Sequence, residues 1–272
     1  MEMKLFFLRL LGYISPQRAG RIALAMFTTP LPIPRPPWEN ELVAIGHQYH
    51  FKNSLIGFEW GSGPTVLLIH GWQGRGTQLG ALVKPLVARG FRVVALDGPA
   101  HGESRTSLFG PRTNVRMFSN ALIEVGHELG PLKLCVAHSF GAGSLVIALS
   151  EGMKSDGAVL VASPSSFQKV VNFYKARLKM NRRWGDAFQN ALETWAGVKV
   201  RHMDILKLAS PLNIPALIVH DPEDDIVAFA NAEALAAQWP KAKLVKLHGV
   251  GHAKILKASS FVDAVVDFIL KL

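Results

Sequence analysis

The stretch LCVAHSFGAGS, residues 134–144, sets a serine between an apolar run and a series of small residues. A strand, a sharp turn and a helix in that order make a nucleophile elbow, in which the turn lifts a serine hydroxyl above the sheet. Ser139 is the candidate nucleophile. The positions two before and two after it approach each other in such a turn, and glycine there avoids a clash. Gly141, with Gly143 beyond it, lets the helix lie close, whereas Ala137 adds one methyl at a position expected to keep ordinary strand dihedrals. The chemistry would be acyl transfer: the serine oxygen attacks a carbonyl carbon, and the carbonyl oxygen becomes an anion.

That oxyanion needs two preorganised backbone N–H donors. Phe140 follows the serine and opens the helix, so its amide sits where the helix dipole favours negative charge. The second donor must come from a loop after another strand. Trp72 in HGWQG (70–74), at the end of the apolar run TVLLIH (65–70), is the candidate.

These residues require a frame of strands and helices. The sequence from residue 42 predicts an antiparallel pair, LVAIGHQYHF and LIGFEW, joined near Lys52 and Asn53, and then the strand TVLLIH. A helix over 77–89, strand 91–96, helix 113–129, strand 132–137, helix 140–152 and strand 158–162 follow. Short continuous apolar runs alternating with helices predict an α/β fold with a mostly parallel sheet covered on both faces. Residues 164–213 interrupt the alternation with a helical, aromatic and basic stretch that reads as an inserted lid. The sheet resumes at 214–220 and 242–248, with helices over 229–238 and from 258. The core is thus expected over 41–163 and 214–272. Residues 1–40 form an extension: an amphipathic helix, a second helix over 16–27, and the stiff connector LPIPRPP (31–37).

Composition narrows the function classes. The single cysteine, Cys135, cannot form an intramolecular disulfide or build a thiolate metal site, which points to the cytoplasm. No HExxH-like spacing is present, so no metal is expected, and serine acyl transfer calls for no cofactor. Lys4 and Arg9 interrupt the apolar amino terminus, which argues against a signal peptide or a membrane span. The net charge of +10 is local: residues 1–37 carry five basic residues and one acidic, and residues 165–212 carry nine basic and three acidic. The remainder is neutral. Basic and aromatic residues form no nucleic-acid-binding arrangement, so the expected partner is a small acyl substrate. The basic lid and first helix add the expectation of peripheral contact with an anionic membrane.

HGWQG (70–74), DGPAHGES (97–104), AHSFGAG (137–143), HDPEDDIV (220–227) and GVGH (249–252), in this order and spacing, resemble the α/β-hydrolase superfamily. The resemblance covers roughly residues 42–272 and departs at Ala137, at Pro99-Ala100 and at Ala228. It implies a serine hydrolase whose nucleophile, acid and base follow in that chain order. HDPEDDIV offers Asp221, Glu223, Asp224 and Asp225; the family-like frame His-x-x-x-Asp-x-x-Val places the acid at Asp224, with Asp225 as the alternative. The base must be an imidazole, which near neutral pH can take the serine proton and return it to the leaving group. Only His248 and His252 follow the acids, and His252, in a glycine loop, is the better placed. His138 beside the nucleophile and Phe173 and Trp184 in the lid are the candidate pocket residues. The expected reaction is cleavage of a short or medium acyl ester; thioester or amide hydrolysis, acyl transfer to an acceptor, and ligand binding without turnover are the alternatives.

Overall fold

The computed structural model describes residues 2–272. Three helices come first: α1 (Glu2–Ile14), α2 (Pro16–Thr28) and α3 (Pro37–Ala44). Then follow β1 (His47–His50), β2 (Ile56–Trp60) and β3 (Thr65–Ile69), a 3-10 segment at Gly76–Leu82 that continues into α4 (Val83–Val87), and β4 (Arg92–Asp97). The chain continues with α5 (Val115–Leu129), β5 (Leu132–His138), α6 (Ser139–Ser150) and β6 (Ala158–Val161). Three helices, α7 (Phe167–Arg177), α8 (Arg182–Ala196) and α9 (Ile205–Ala209), separate β6 from β7 (Ala216–His220). The chain closes with α10 (Ala230–Gln238), β8 (Ala242–Lys246), α11 (Gly251–Lys254) and α12 (Ser259–Ile269).

The eight strands form one sheet in the order β1-β2-β4-β3-β5-β6-β7-β8. Only β1 and β2 run antiparallel to their neighbours; the rest are parallel. Alternate residues of the central strands feed two cores, with Leu67, Ile69, Cys135 and Ala137 on one face and Val66, Leu68, Leu134 and Val136 on the other. Burial of both faces is why these strands read as unbroken apolar runs. From β3 the chain proceeds to β4 on one side, while β5 flanks β3 on the other, and Ile69 pairs with Ala137. Ligands of open α/β sheets bind at such a reversal, beyond the carboxyl ends of the strands. His70-Gly71 and His138-Ser139 both emerge there.

The expected strand from residue 42 is corrected: residues 42–44 end α3, and β1 is confined to His47–His50. Pro37 opens α3 with Glu39 in its first turn, a favourable helix start that overrides the β-prone Leu-Val-Ala-Ile. Glu39 is buried and accepts from Arg75 Nε (2.5 Å), Arg75 Nη2 (3.0 Å) and Thr77 Oγ1 (2.5 Å). Arg75 also donates to Ile33 O and Pro34 O. This buried bidentate pair clamps the proline-rich connector onto the body.

The amino-terminal helices do not lie apart from the helices between β6 and β7. α2 packs along α8 and α1 packs on both, so these helices build one cap with α7. Two glycines permit the approach. A methyl at Gly20 would lie 2.9 Å from Phe188 N, and one at Gly12 would lie 2.6 Å from the Trp184 ring. Thr113 N donates to Thr28 O (2.8 Å), and Tyr174 OH donates to Ala23 O (3.2 Å), which fixes the end of α2 against the body and against α7. Among the described residues, no helix is long and apolar enough to cross a membrane.

Candidate active site

Ser139 ends the turn between β5 and α6 with φ at +49°, a left-handed conformation that costs a non-glycine residue free energy. The parallel ladder on both sides of β5 holds it there. Gly141 is required by contact: a methyl would lie 2.1 Å from His70 O. Ala137 is an ordinary residue of β5, paired to Ile69 and Leu160, and its methyl fits the buried face.

The Ser139 hydroxyl donates to His252 Nε2 at 3.0 Å, and His252 Nδ1 donates to Asp224 Oδ2 at 2.7 Å. Asp224 Oδ1 accepts the amides of Ile226 (2.8 Å) and Val227 (2.9 Å), so the carboxylate is held at both ends. Asp225 is exposed and does not reach His252. Burial pushes the Asp224 carboxyl up, but hydrogen bonds from His220, His252 and the Val227 amide outweigh it and hold the group well below the usual carboxylate range.

Three neighbours position this trio. His220 is fully buried at the end of β7; its Nε2 donates to Val227 O at 2.8 Å and lies 3.4 Å from Asp224 Oδ2. Asp221 accepts the amides of Val250 (2.6 Å) and Gly251 (2.5 Å), tying down the loop that carries His252. Glu223 accepts Gly249 N at 2.8 Å. The sequence offered Asp221 and Glu223 only as alternative acids, and His220 only as a strand end. Their spacing ahead of Asp224 was the available signal; their bracing role follows from a loop 25 to 30 residues away in the chain.

His138 is not a pocket residue, contrary to the sequence expectation. Its buried ring lies beside His252, with ring centroids 4.8 Å apart, and Nε2 donates to His252 O at 2.9 Å. Burial and the adjacent His252 push its pKa down to about 3, so it remains a neutral donor behind Ser139.

The opposite wall is the loop HGWQG. Gly71 lies so close to Ser139 that a methyl there would be 3.1 Å from Ser139 Cβ. His70 Nδ1 donates to Gly71 O (2.6 Å), and its Nε2 accepts Gly98 N (2.9 Å). His101 Nδ1 donates to Pro99 O (2.9 Å), and its Nε2 accepts Gln73 N (3.1 Å). Burial drives the pKa of both imidazoles down, that of His101 to about 4, so each acts as a neutral donor and acceptor between two loops. The Trp72 ring packs edge-on against Phe140, and Trp72, Ser139 and Phe140 all line one cavity. Phe140 lies in the first turn of α6, where amides lack an intrahelical acceptor.

Below these loops, the buried Asp97 carboxylate accepts Gly76 N (2.7 Å) and Glu103 N (2.8 Å). Burial pushes its pKa up to about 6, against the pull of those two amides and of Arg35. The folded protein therefore holds a proton that the unfolded chain releases near pH 4, roughly the unperturbed value. This contribution to stability is present at low pH, falls as pH rises from about 4 to about 6, and is flat above. The expected result is that the difference in Tm between wild type and Asp97→Asn shrinks over that window and is constant beyond it. Thermal unfolding of both proteins across the pH range checks this, and parallel curves between pH 4 and 6 would contradict it.

The cavity beside Ser139 has a volume of about 640 Å³. Phe140, Phe167, Val171 and Met203 line it from α6 and from the segment between β6 and β7, and Phe173 stands at its exposed rim. Trp184 is corrected: it is fully buried against Gly12 of α1 and is a packing residue of the cap. In its place the amino-terminal extension supplies Met26, Phe27 and Thr28. Phe27 packs on Tyr174 and Phe188 at centroid distances of 4.7 and 5.5 Å. Nothing in the sequence joins residues 26–28 to Ser139, because only the docking of α2 on α8 brings them there.

The model of the alpha/beta hydrolase family matches residues 66–267 of this chain. The chain belongs to the alpha/beta hydrolase family. A curated relative, a non-heme haloperoxidase of Rhodococcus erythropolis, is 23% identical over 253 residues, covering 76% of this chain and 92% of its own. Among solved structures, the fold is shared with the esterase EaEST from Exiguobacterium antarcticum, with TM-score 0.63, 16% identity, and coverage of 83% of this chain and 99% of that one. It is also shared with MGS-MChE2, an alpha/beta hydrolase enzyme from the metagenome of sediments of the lagoon of Mar Chica, Morocco, with TM-score 0.63, 17% identity, and coverage of 83% and 98%. In this alpha/beta hydrolase, α1, α2 and the connector all precede the matched region.

Proposed function

We propose that this alpha/beta hydrolase is a serine carboxylesterase that cleaves esters of short or medium acyl chains through an acyl-enzyme. The observation that carries the reading is the continuous hydrogen-bonded path from Asp224 through His252 to Ser139, 2.7 and 3.0 Å, at the wall of an apolar cavity. The naming of EaEST as an esterase supports the same class.

In the proposed mechanism Asp224 orients His252 and stabilises the imidazolium. His252 Nε2 takes the Ser139 proton as Oγ bonds to the acyl carbon, while the amides of Trp72 and Phe140 hold the oxyanion. The tetrahedral intermediate expels the alcohol, which leaves with the proton from His252. Water then attacks the acyl-enzyme, its proton passing to His252 and on to Ser139 as the carboxylic acid departs.

The test is a series of p-nitrophenyl esters from acetyl to palmitoyl, beside thioester and anilide analogues, with a fluorophosphonate probe on the folded protein. Labelling at Ser139 and the highest kcat/KM on short and medium esters are expected. No labelling of Ser139 would overturn the serine mechanism; a higher kcat/KM for thioesters or anilides at every length would overturn the ester assignment.

Phe27 should set the chain length. Each additional buried methylene is worth about 0.8 kcal/mol, roughly fourfold in kcat/KM, as long as space remains. Phe27→Ala opens the α2 wall and is expected to raise the decanoyl-to-butyryl ratio of kcat/KM on the order of tenfold. An unchanged ratio in a folded variant would remove Phe27 from the acyl site.

A further inference from the structure

α1 is apolar on nearly all sides, and the structure divides those sides unequally. Leu8 and Gly12 face the cap, Gly12 against Trp184. Outward point Met3 (72% exposed), Phe6 (62%), Phe7 (60%), Leu10 (48%), Tyr13 (74%) and Ile14 (73%). Their spacing of three and four places all six on one stripe of the helix. A soluble protein rarely presents so many large apolar side chains together unless something covers them.

Basic residues border the stripe. Helical periodicity sets Lys4 on one side of it and Arg9 on the other. Arg9 Nε donates to Leu178 O (3.2 Å), and Asn181 Nδ2 donates to Gly12 O (3.3 Å). These two bonds lay the connection between α7 and α8 along α1, with Lys179, Arg182 and Arg183 all exposed. Among the described side chains, Asp186 is an acid beside this border, 3.9 Å from Arg182 and itself exposed.

We infer that this face of α1, with its basic border, docks on an anionic lipid bilayer surface. An outward Phe/Tyr/Leu stripe flanked by lysine and arginine lies in the interfacial plane, its apolar side chains among the acyl chains and its cations at the phosphates. A second copy of this chain would set like charges against each other at the same border, which disfavours self-association. The docked helix adjoins α2, whose Met26, Phe27 and Thr28 wall the cavity, so the membrane-bound element and the cavity wall are one helical hairpin. Docking on the bilayer requires no catalytic turnover and is read out as binding.

The test is co-sedimentation of the full chain with vesicles of phosphatidylcholine alone and of phosphatidylcholine with phosphatidylglycerol, at low and high salt. Two surface variants accompany it, Phe6→Ser/Phe7→Ser/Leu10→Ser and Lys179→Glu/Arg182→Glu/Arg183→Glu, each checked for an unchanged thermal unfolding curve. The wild type is expected to pellet with the anionic vesicles and to be released by salt. The serine variant should lose binding about tenfold or more, and the charge-reversed variant on the order of 100-fold. Equal pelleting with neutral and anionic vesicles, no pelleting at all, or undiminished binding by both variants would overturn the inference. So would a concentration-dependent dimer that the serine variant dissolves while vesicles bind neither form.

Discussion

Ser139→Ala is expected to lower kcat for ester cleavage by about 10⁶-fold and to abolish phosphonate labelling. The loss should be this large because every later event depends on the bond that Oγ makes. His252 would keep its Asp224 partner but lose the oxygen 3.0 Å from Nε2, and water in that space is not held for attack on the acyl carbon. The folded state should survive, since Ser139 lies at the cavity and, among the described residues, its side chain bonds only to His252. Backbone strain supplies a second readout. With φ at +49°, alanine retains the Cβ penalty, whereas Ser139→Gly removes it, so the glycine variant should unfold about 1 kcal/mol later than the alanine variant. Steady-state kinetics and thermal melts of the two variants check both parts; turnover by Ser139→Ala within tenfold of wild type would refute the nucleophile.

Asp224→Asn is expected to reduce kcat by about 10⁴-fold while leaving the geometry intact. The reason lies in how the carboxylate is held. Oδ1 accepts two backbone amides, from Ile226 and Val227, so an asparagine must place its carbonyl oxygen there. Its NH₂ then faces His252 Nδ1, previously the donor at 2.7 Å, and donates to it. The imidazole proton moves to Nε2, which can no longer accept from Ser139. Asp225→Asn changes an exposed side chain and should leave kcat within about twofold, since surface substitutions away from the site are normally mild. Comparable losses from both substitutions would mean that the acid has been misassigned between the neighbours. His220 gives the same site an independent handle: it supports Asp224 without touching Ser139, so its effect should pass through the orientation of the carboxylate.

Much of the candidate site was legible in the sequence. The elbow is a local event, in which an apolar strand, a turn with small flanking residues and a helix start fix the Ser139 backbone within a few positions. Trp72 and Phe140 follow from the same logic, each next to a strand end at the switch between β3 and β5. His252 stood out because few histidines follow the acids, and Asp224 because of its frame within HDPEDDIV. The acids of that run could not be separated by composition. What separates them is orientation: Asp221 points to the His252 loop, Asp224 to the imidazole and Asp225 to solvent.

The sequence by itself therefore determined the α/β alternation and named Ser139 and His252 as candidates in their chain order, because each depends on local backbone conformation or on a short motif. Tertiary structure alone decided the rest. Trp184 was read as a pocket residue and is instead a cap packing residue, since helical periodicity reports that a face is buried but not against what. For α1, read as an amphipathic helix, the structure places apolar residues on the buried and the exposed sides alike. Gly12 marks the buried side of α1, where a methyl would lie 2.6 Å from the Trp184 ring, and Gly20 marks that of α2, where one would lie 2.9 Å from Phe188 N; these two close contacts choose the faces that pack on α8. That choice brings residues 26–28 into the cavity and turns Phe6, Phe7 and Tyr13 outward, the consequence of matching shapes between segments more than 150 residues apart.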